Sequence, residues 1–316
     1  MTLYEEAPQA ALSGLNVYAY GLHIAIGFLA MTAAAIWIAH QKKMKKGTAT
    51  LFSVLAIVLG GIVSRLFFCI MDQSLGTPVP FSAWFRIDGG GWSMTGLIAG
   101  VFLAAWLSAR MTGQNSMELL DISACSLPLL IIAERMGDRL IEDFNTSRPL
   151  EDGWISRSFL AVQGEYETYL RTYYLAAAAA LVLFLILNVM SLRKNRRNGD
   201  LWIAFLLICG AMGVLLESLR YDYFLSITFV HLQQVVFALM ILAGTVFAAV
   251  YAKGRPSALR WAAPLSLIVT VGAVIGIEFA IDRSDINNLL LYAAMMLVIL
   301  IPVVLGLILL QRKELD

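Results

Sequence analysis

Polar segments divide the chain into nine apolar runs, at approximately Asn16–Ala39, Thr50–Met71, Trp92–Ala109, Leu119–Met136, Tyr174–Leu192, Leu201–Leu219, Val230–Ala252, Ala262–Ile281 and Asn288–Leu310. An α-helix needs about 20 consecutive apolar residues to cross the hydrocarbon core of a bilayer. Membrane strands would instead show shorter segments of alternating polarity. The pattern therefore predicts an all-α, polytopic integral membrane protein with about nine transmembrane helices.

The separators carry the orientation. Lys42, Lys43, Lys45 and Lys46 follow the first run, and Arg193, Lys194, Arg196 and Arg197 follow the fifth. Lys253, Arg255 and Arg260 follow the seventh, and Arg312 and Lys313 follow the ninth. If the runs alternate, all four clusters share one side, which the positive-inside rule makes cytoplasmic. The N-terminus is then outside and the C-terminus inside. The first fifteen residues include Glu5 and Glu6 and no basic residue, the wrong charge for the start of a signal peptide, so the segment is expected to remain.

Composition agrees with the pattern. Of 316 residues, 59% are hydrophobic and 14% charged, against about 25% charged in soluble domains. Cys69, Cys125 and Cys209 all lie inside apolar runs and suggest neither a metal site nor a disulfide framework. No cofactor and no nucleic-acid partner is expected; the bilayer itself is the expected surrounding.

Against this apolar background, six ionisable residues stand out where the fourth run meets water: Glu134, Arg135, Asp138, Arg139, Glu142 and Asp143. A charge at bilayer depth costs about 2.5–3.5 kcal/mol on insertion scales and so faces a cavity or a partner. On a helix, Arg135 meets Asp138 at i+3, and Arg139 meets Glu142 and Asp143 at i+3 and i+4. Two readings are open: a self-neutralised helix end among headgroups, or a site that binds a lipid phosphate. Arg65, inside the second run after Gly60-Gly61, can snorkel, pair with a carboxylate or hold phosphate in a bidentate fork. The third run opens Asp88-Gly-Gly-Gly-Trp-Ser-Met-Thr-Gly96, where glycines serve either close helix packing or close approach of a ligand. Glu217 and Arg220 fall one turn apart at the end of the sixth run, and His231 and Gln234 open the seventh. A lone histidine there is structural or catalytic, and His23 carries a weaker signal. Glu278 is the single carboxylate inside the eighth run and is expected to face protein or headgroups.

Taken in order, these pieces resemble a family. They are the arginine after a glycine pair, Gly90-Gly91-x-Ser93-x-x-Gly96, Leu120-Asp121 with Pro128, Arg135-x-Gly137, Glu217-x-x-Arg220, and Gln234 before Met240–Gly244. The chain is similar to the bacterial prolipoprotein diacylglyceryl transferases, whose signature reads Gly-Arg-x-Gly-Asn-Phe-x-Asn-x-Glu. Glu134, Asp138, Arg139 and Ile141 replace the first glycine, the first asparagine, the phenylalanine and the second asparagine, and Asp143 stands at the glutamate. The family's essential histidine aligns with Thr95, and its second arginine, four before the glutamate of the sixth run, aligns with Gly213.

The resemblance implies a seven-helix transferase-like domain over residues 1–252 and an added two-helix hairpin over 253–316. It implies a multi-pass enzyme of the bacterial inner membrane that moves diacylglycerol from phosphatidylglycerol to the cysteine thiol of a prolipoprotein. Arg135, Asp138, Asp143 and Glu217 are the implied catalytic residues. Arg65, Ser93, Thr95, Gly137, Arg139, Arg220 and Gln234 are the implied substrate-binding residues, and Arg139 could replace the missing arginine of the sixth run. The base could be Asp138, Asp143, Glu142 or, less directly, His231. Two other readings stay open: a non-catalytic relative that binds phospholipid or lipoprotein, and a transporter whose intramembrane charges line a pathway.

Overall fold

The computed structural model describes residues 10–12, 15–17, 19–72, 81–85, 91–140, 149–150, 153–164, 166–193, 195–220, 226–227, 230–252, 254–284 and 286–311. Among the described residues, nine helices are long and apolar enough to span a membrane. They are α1 Ala19–Gln41, α2 Thr48–Asp72, α3 Met94–Thr112, α4 Ser116–Asp138, α5 Thr172–Ser191, α6 Asp200–Leu219, α7 Leu232–Tyr251, α8 Ser257–Arg283 and α9 Asn288–Leu310. This is a multi-pass all-α membrane protein, as the nine apolar runs predict. The main difference in bounds is α8, which starts at Ser257 rather than Ala262. Pro256 stands at its N-cap, where the missing proline N–H costs the helix nothing. Among the described residues, three two-stranded antiparallel pairs join helices or precede them: β1 Ala10–Leu12 with β2 Leu15–Val17, β3 Ala161–Gln163 with β4 Thr168–Leu170, and β5 Ser226–Ile227 with β6 Val230–His231.

The chain forms two compact units, residues 1–185 with 219–224, and residues 186–218 with 225–316. In the first, α2 packs most extensively on α3 and α1 on α4. The α2–α3 contact depends on a glycine: a Cβ on Gly100 would stand 2.4 Å from the Leu59 carbonyl oxygen and 2.8 Å from the Gly60 Cα. Such small-residue approach is the ordinary way for membrane helices to gain packing contact, since lipid supplies no hydrophobic drive between them. The glycines after Ser93 therefore serve helix packing. Ser93 caps α3, its Oγ accepting from the Gly96 N–H at 3.4 Å, and Asn115 caps α4 through Met117 N–H at 2.9 Å. At the far ends, Lys42 and Glu118 approach to 4.0 Å across α1 and α4. A half-buried pair at this long separation contributes little.

The second unit gathers α6, α7, α8 and α9. Helices α8 and α9 pack on each other and both pack on α7. Leu207 of α6 is fully buried at its centre. Outward-facing Ile268, Val269, Leu289 and Leu297 remain exposed, the expected surface of helices whose solvent is hydrocarbon.

Candidate active site

In the first unit the polar side chains gather at one end, where α2 and α4 finish and α1 and α3 begin. The i+3 spacing read from the sequence is realised: Arg135 Nη1 donates to Asp138 Oδ2 at 2.8 Å. The guanidinium also meets the neighbouring Glu134, with Nε 3.3 Å from Oε2. Charge-assisted contacts of this length fix a guanidinium strongly, and here they hold it between two carboxylates in a partly buried site. Gly137 lies where α4 presses on α1. A Cβ there would come within 3.0 Å of the Tyr20 ring and 3.2 Å of the His23 Cβ. His23 itself faces its own helix, with Nδ1 2.9 Å from the Ala19 carbonyl oxygen. Arg139 follows α4 and is exposed.

Facing this helix end, α2 and α3 are stitched together by serines. Ser64 Oγ donates to the Ser93 carbonyl at 2.8 Å and accepts from the Ser93 N–H at 2.9 Å. Ser93 Oγ lies 2.9 Å from Thr95 Oγ1, and both hydroxyls are buried. Arg65 donates from Nε to the Trp84 carbonyl at 3.3 Å and from Nη1 to the Gly91 carbonyl at 3.0 Å. Its guanidinium also sits 5.5 Å from the Phe68 ring centroid. Arg65 thus ties down the chain between α2 and α3. A cavity of about 450 Å³ opens beside these groups. Phe28, Leu29, Ile57 and Leu97 form its apolar wall, while Ser64, Ser93 and Glu134 supply its polar atoms. Such a cleft suits an amphipathic ligand with one polar end.

In the second unit, polar groups gather where α6 and α8 finish and α7 and α9 begin. Gln234 is buried, with 5% of its surface exposed, and its amide is well used. Nε2 donates to Glu278 Oε1 at 2.8 Å and to the Val214 carbonyl at 3.3 Å, while Oε1 accepts from the His231 N–H at 3.3 Å. Glu278 is 6% exposed, so it faces protein as expected. Glu217 is also buried, and Tyr292 donates to the Ser218 carbonyl at 3.4 Å. Arg220 follows the last residue of α6, is half-buried and belongs to the first unit. Gly213 has no room for a side chain. A Cβ on Gly213 would lie 2.3 Å from the Phe237 ring, so that aromatic ring fills the place a longer side chain would need.

Of the sequence-predicted residues, Arg135 and Asp138 come together directly, as do Ser93 and Thr95. Asp143, like Glu142, lies outside the described residues. Glu134, Ser64 and Glu278 carry contacts that the sequence reading did not assign to them. The signal for Ser64 was a hydroxyl just before Arg65, and that for Glu278 was its lone charge in an apolar run. Among the described residues, no group of three His, Cys, Asp or Glu side chains has metal-binding geometry.

Comparison with known proteins places these clusters in a lineage. The profile of the prolipoprotein diacylglyceryl transferase family matches residues 9–250. A phosphatidylglycerol–prolipoprotein diacylglyceryl transferase of Oleidesulfovibrio alaskensis is 27% identical over 78% of this chain and 93% of its own length. Proteins of the same name from Chromohalobacter salexigens and Legionella pneumophila strain Paris are 28% and 32% identical. Those alignments cover 66% and 40% of this chain, and 77% and 51% of the relatives. A profile match that covers residues 9–250, and with them seven of the nine helices, assigns this chain to the prolipoprotein diacylglyceryl transferase family.

Proposed function

We propose that this protein is a diacylglyceryl transferase of the bacterial cytoplasmic membrane that uses phosphatidylglycerol and a prolipoprotein cysteine. The cysteine thiol loses its proton and the thiolate forms a C–S bond to the glyceryl carbon of the lipid. The C–O bond to phosphate breaks with its electron pair, and glycerol phosphate leaves. Arg135 meets the charge that grows on that phosphate, an effect worth about 3–4 kcal/mol per well-placed donor. Asp138, in hydrogen-bond contact with Arg135, is the proposed proton acceptor, with Asp143 as the alternative. Arg65, Arg139 and Arg220 are supplementary cations for the lipid headgroup; Ser93 lines the first unit's cleft, and Thr95 and Gly137 are the further proposed substrate-binding residues. Glu217 and Gln234 carry over from the family pattern as a polar cluster of their own. Residues 1–252 form the transferase-like part and 253–316 an added hairpin, a division supported by the family match ending at residue 250.

The observation that carries this reading is the guanidinium of Arg135. It is the signature arginine, held between two carboxylates, and one of these, Glu134, lines an apolar cavity with a polar edge. Lysine keeps the charge but loses the planar fork that matches a phosphodiester. Arg135→Lys should lower turnover by about 100-fold or more while the circular dichroism of the purified protein stays unchanged. Undiminished turnover in that variant would reject the assignment.

A second reading is favoured by two positions. Thr95 stands in place of the family histidine, and Phe237 fills the space beside Gly213 where the family has an arginine. A relative that binds phospholipid or lipoprotein without reacting has no need of either group. This reading requires lipid binding without turnover in the wild type.

A further inference from the structure

A second cleft lies wholly within the second unit, with its polar end at the opposite end of α6 from the cluster around Gln234. It measures about 750 Å³ and runs between α6 and α9, with the end of α5 at its mouth. Along α6 it is lined from Leu201 to Leu215, and along α9 from Met296 to Leu310. Fourteen residues of helix cover about 21 Å, a little more than the roughly 15 Å half-thickness of a bilayer's hydrocarbon core. The lining is apolar along this length, and its polar side chains fall at one end: Arg193, Asn195, Arg196, Asp200 and Gln311. Arg193 is exposed and Arg196 half-buried. The one carboxylate there, Asp200, accepts from the Arg197 N–H at 2.7 Å and so caps the chain ahead of α6.

We propose that this cleft binds an anionic glycerophospholipid, with an acyl chain between α6 and α9 and its phosphodiester at Arg193 and Arg196. Charge complementarity selects the occupant. A slot about one leaflet deep, apolar inside and carrying two arginines against one carboxylate at its mouth, matches a lipid with a net negative headgroup, whereas a zwitterionic one brings beside the same phosphodiester a cation that the arginines repel. Three methionines in the wall, Met190, Met212 and Met296, adapt to a flexible chain. The basic end lies near Asp200 and the polar cluster near Glu217, 17 residues apart on one helix and thus separated by about 25 Å. One wall is α9, which lies beyond residues 9–250 of the family match. The site is therefore independent of the transfer reaction and does not rest on it.

The test uses the full-length protein, purified in detergent, exposed to equal amounts of phosphatidylserine and phosphatidylcholine, and weighed with its bound lipid by native mass spectrometry. Phosphatidylserine is anionic but is not the proposed donor lipid. The wild type should retain phosphatidylserine in preference, and each of Arg193→Gln and Arg196→Gln should reduce that preference about fivefold, the ordinary contribution of a basic residue near an anionic lipid surface. Val303→Trp, which fills the slot, should reduce retention of both lipids while circular dichroism stays unchanged. Equal retention by the wild type, or an undiminished preference in the Arg193→Gln/Arg196→Gln double variant, overturns the assignment. So does conversion of a dimer to a monomer by Val303→Trp with lipid retention unchanged, which would make the cleft a contact between copies.

Discussion

Replacing Glu278 by leucine removes the acceptor of a 2.8 Å hydrogen bond from Gln234 Nε2 and leaves that amide with the Val214 carbonyl at 3.3 Å. Both side chains are at most 6% exposed, so water does not readily take the vacated place. An unsatisfied buried donor costs about 1–3 kcal/mol. Side-chain hydrogen bonds between membrane helices average about 0.6 kcal/mol and reach about 1.7, because the unfolded chain in the membrane also finds partners. The two ranges overlap at about 1–2 kcal/mol, which is the expected loss for Glu278→Leu. Glu278→Gln keeps a carbonyl acceptor on the same stem and should lose less than half as much. The Gln234→Leu/Glu278→Leu double variant removes donor and acceptor together. It should be less destabilised than the sum of the single variants by about 1 kcal/mol, the coupling expected of side chains in contact. Unfolding titrations in sodium dodecyl sulfate, followed by circular dichroism, measure the wild type and the four variants, Gln234→Leu included, on one scale. A neutral Glu278→Leu, or strictly additive single effects, would refute the claim that α8 holds Gln234 in place.

Gly213→Arg drives a long side chain into the Phe237 ring and should destabilise the protein by at least about 1–3 kcal/mol in the same titration. Adding Phe237→Ala should recover part of that loss, and full stability in the single variant would contradict the packing argument. For topology, the positive-inside reading of the four basic segments expects the C-terminal end in the cytoplasm, so green fluorescent protein fused after Asp316 should fluoresce and alkaline phosphatase fused there should be inactive. The reverse pattern would reject the orientation.

The helices were legible because a membrane span announces itself by length and hydropathy alone. The Arg135–Asp138 pair was legible because both residues sit on one helix, where spacing fixes distance. Contacts between elements were not. Gln234 and Glu278 are 44 residues apart in the chain, and nothing in either local sequence names the other. Glu278 could be singled out only as a charge that needs company. Arg65 was open to three readings. It contacts two backbone carbonyls, an interaction that leaves no side-chain signature in the sequence. The Gly-rich start of the third run was ambiguous because a glycine at a backbone crossing and a glycine beneath a ligand look alike in sequence. For Gly100, further along that run, the 2.4 Å approach of a Cβ to the Leu59 carbonyl shows packing, while Gly89 and Gly90 lie outside the described residues. The substitution of Gly213 for arginine was visible, but its partner Phe237 was not, since that ring comes from the following helix.

The central claim is tested most directly by incubating the purified wild-type protein with phosphatidylglycerol and a synthetic peptide carrying a lipobox cysteine, then weighing the peptide. The account predicts a peptide heavier by one diacylglyceryl group on its cysteine, with one glycerol phosphate released for each. A peptide that stays unmodified, while the Oleidesulfovibrio alaskensis relative modifies it under the same conditions, would contradict the account and leave a lipid-binding relative in its place.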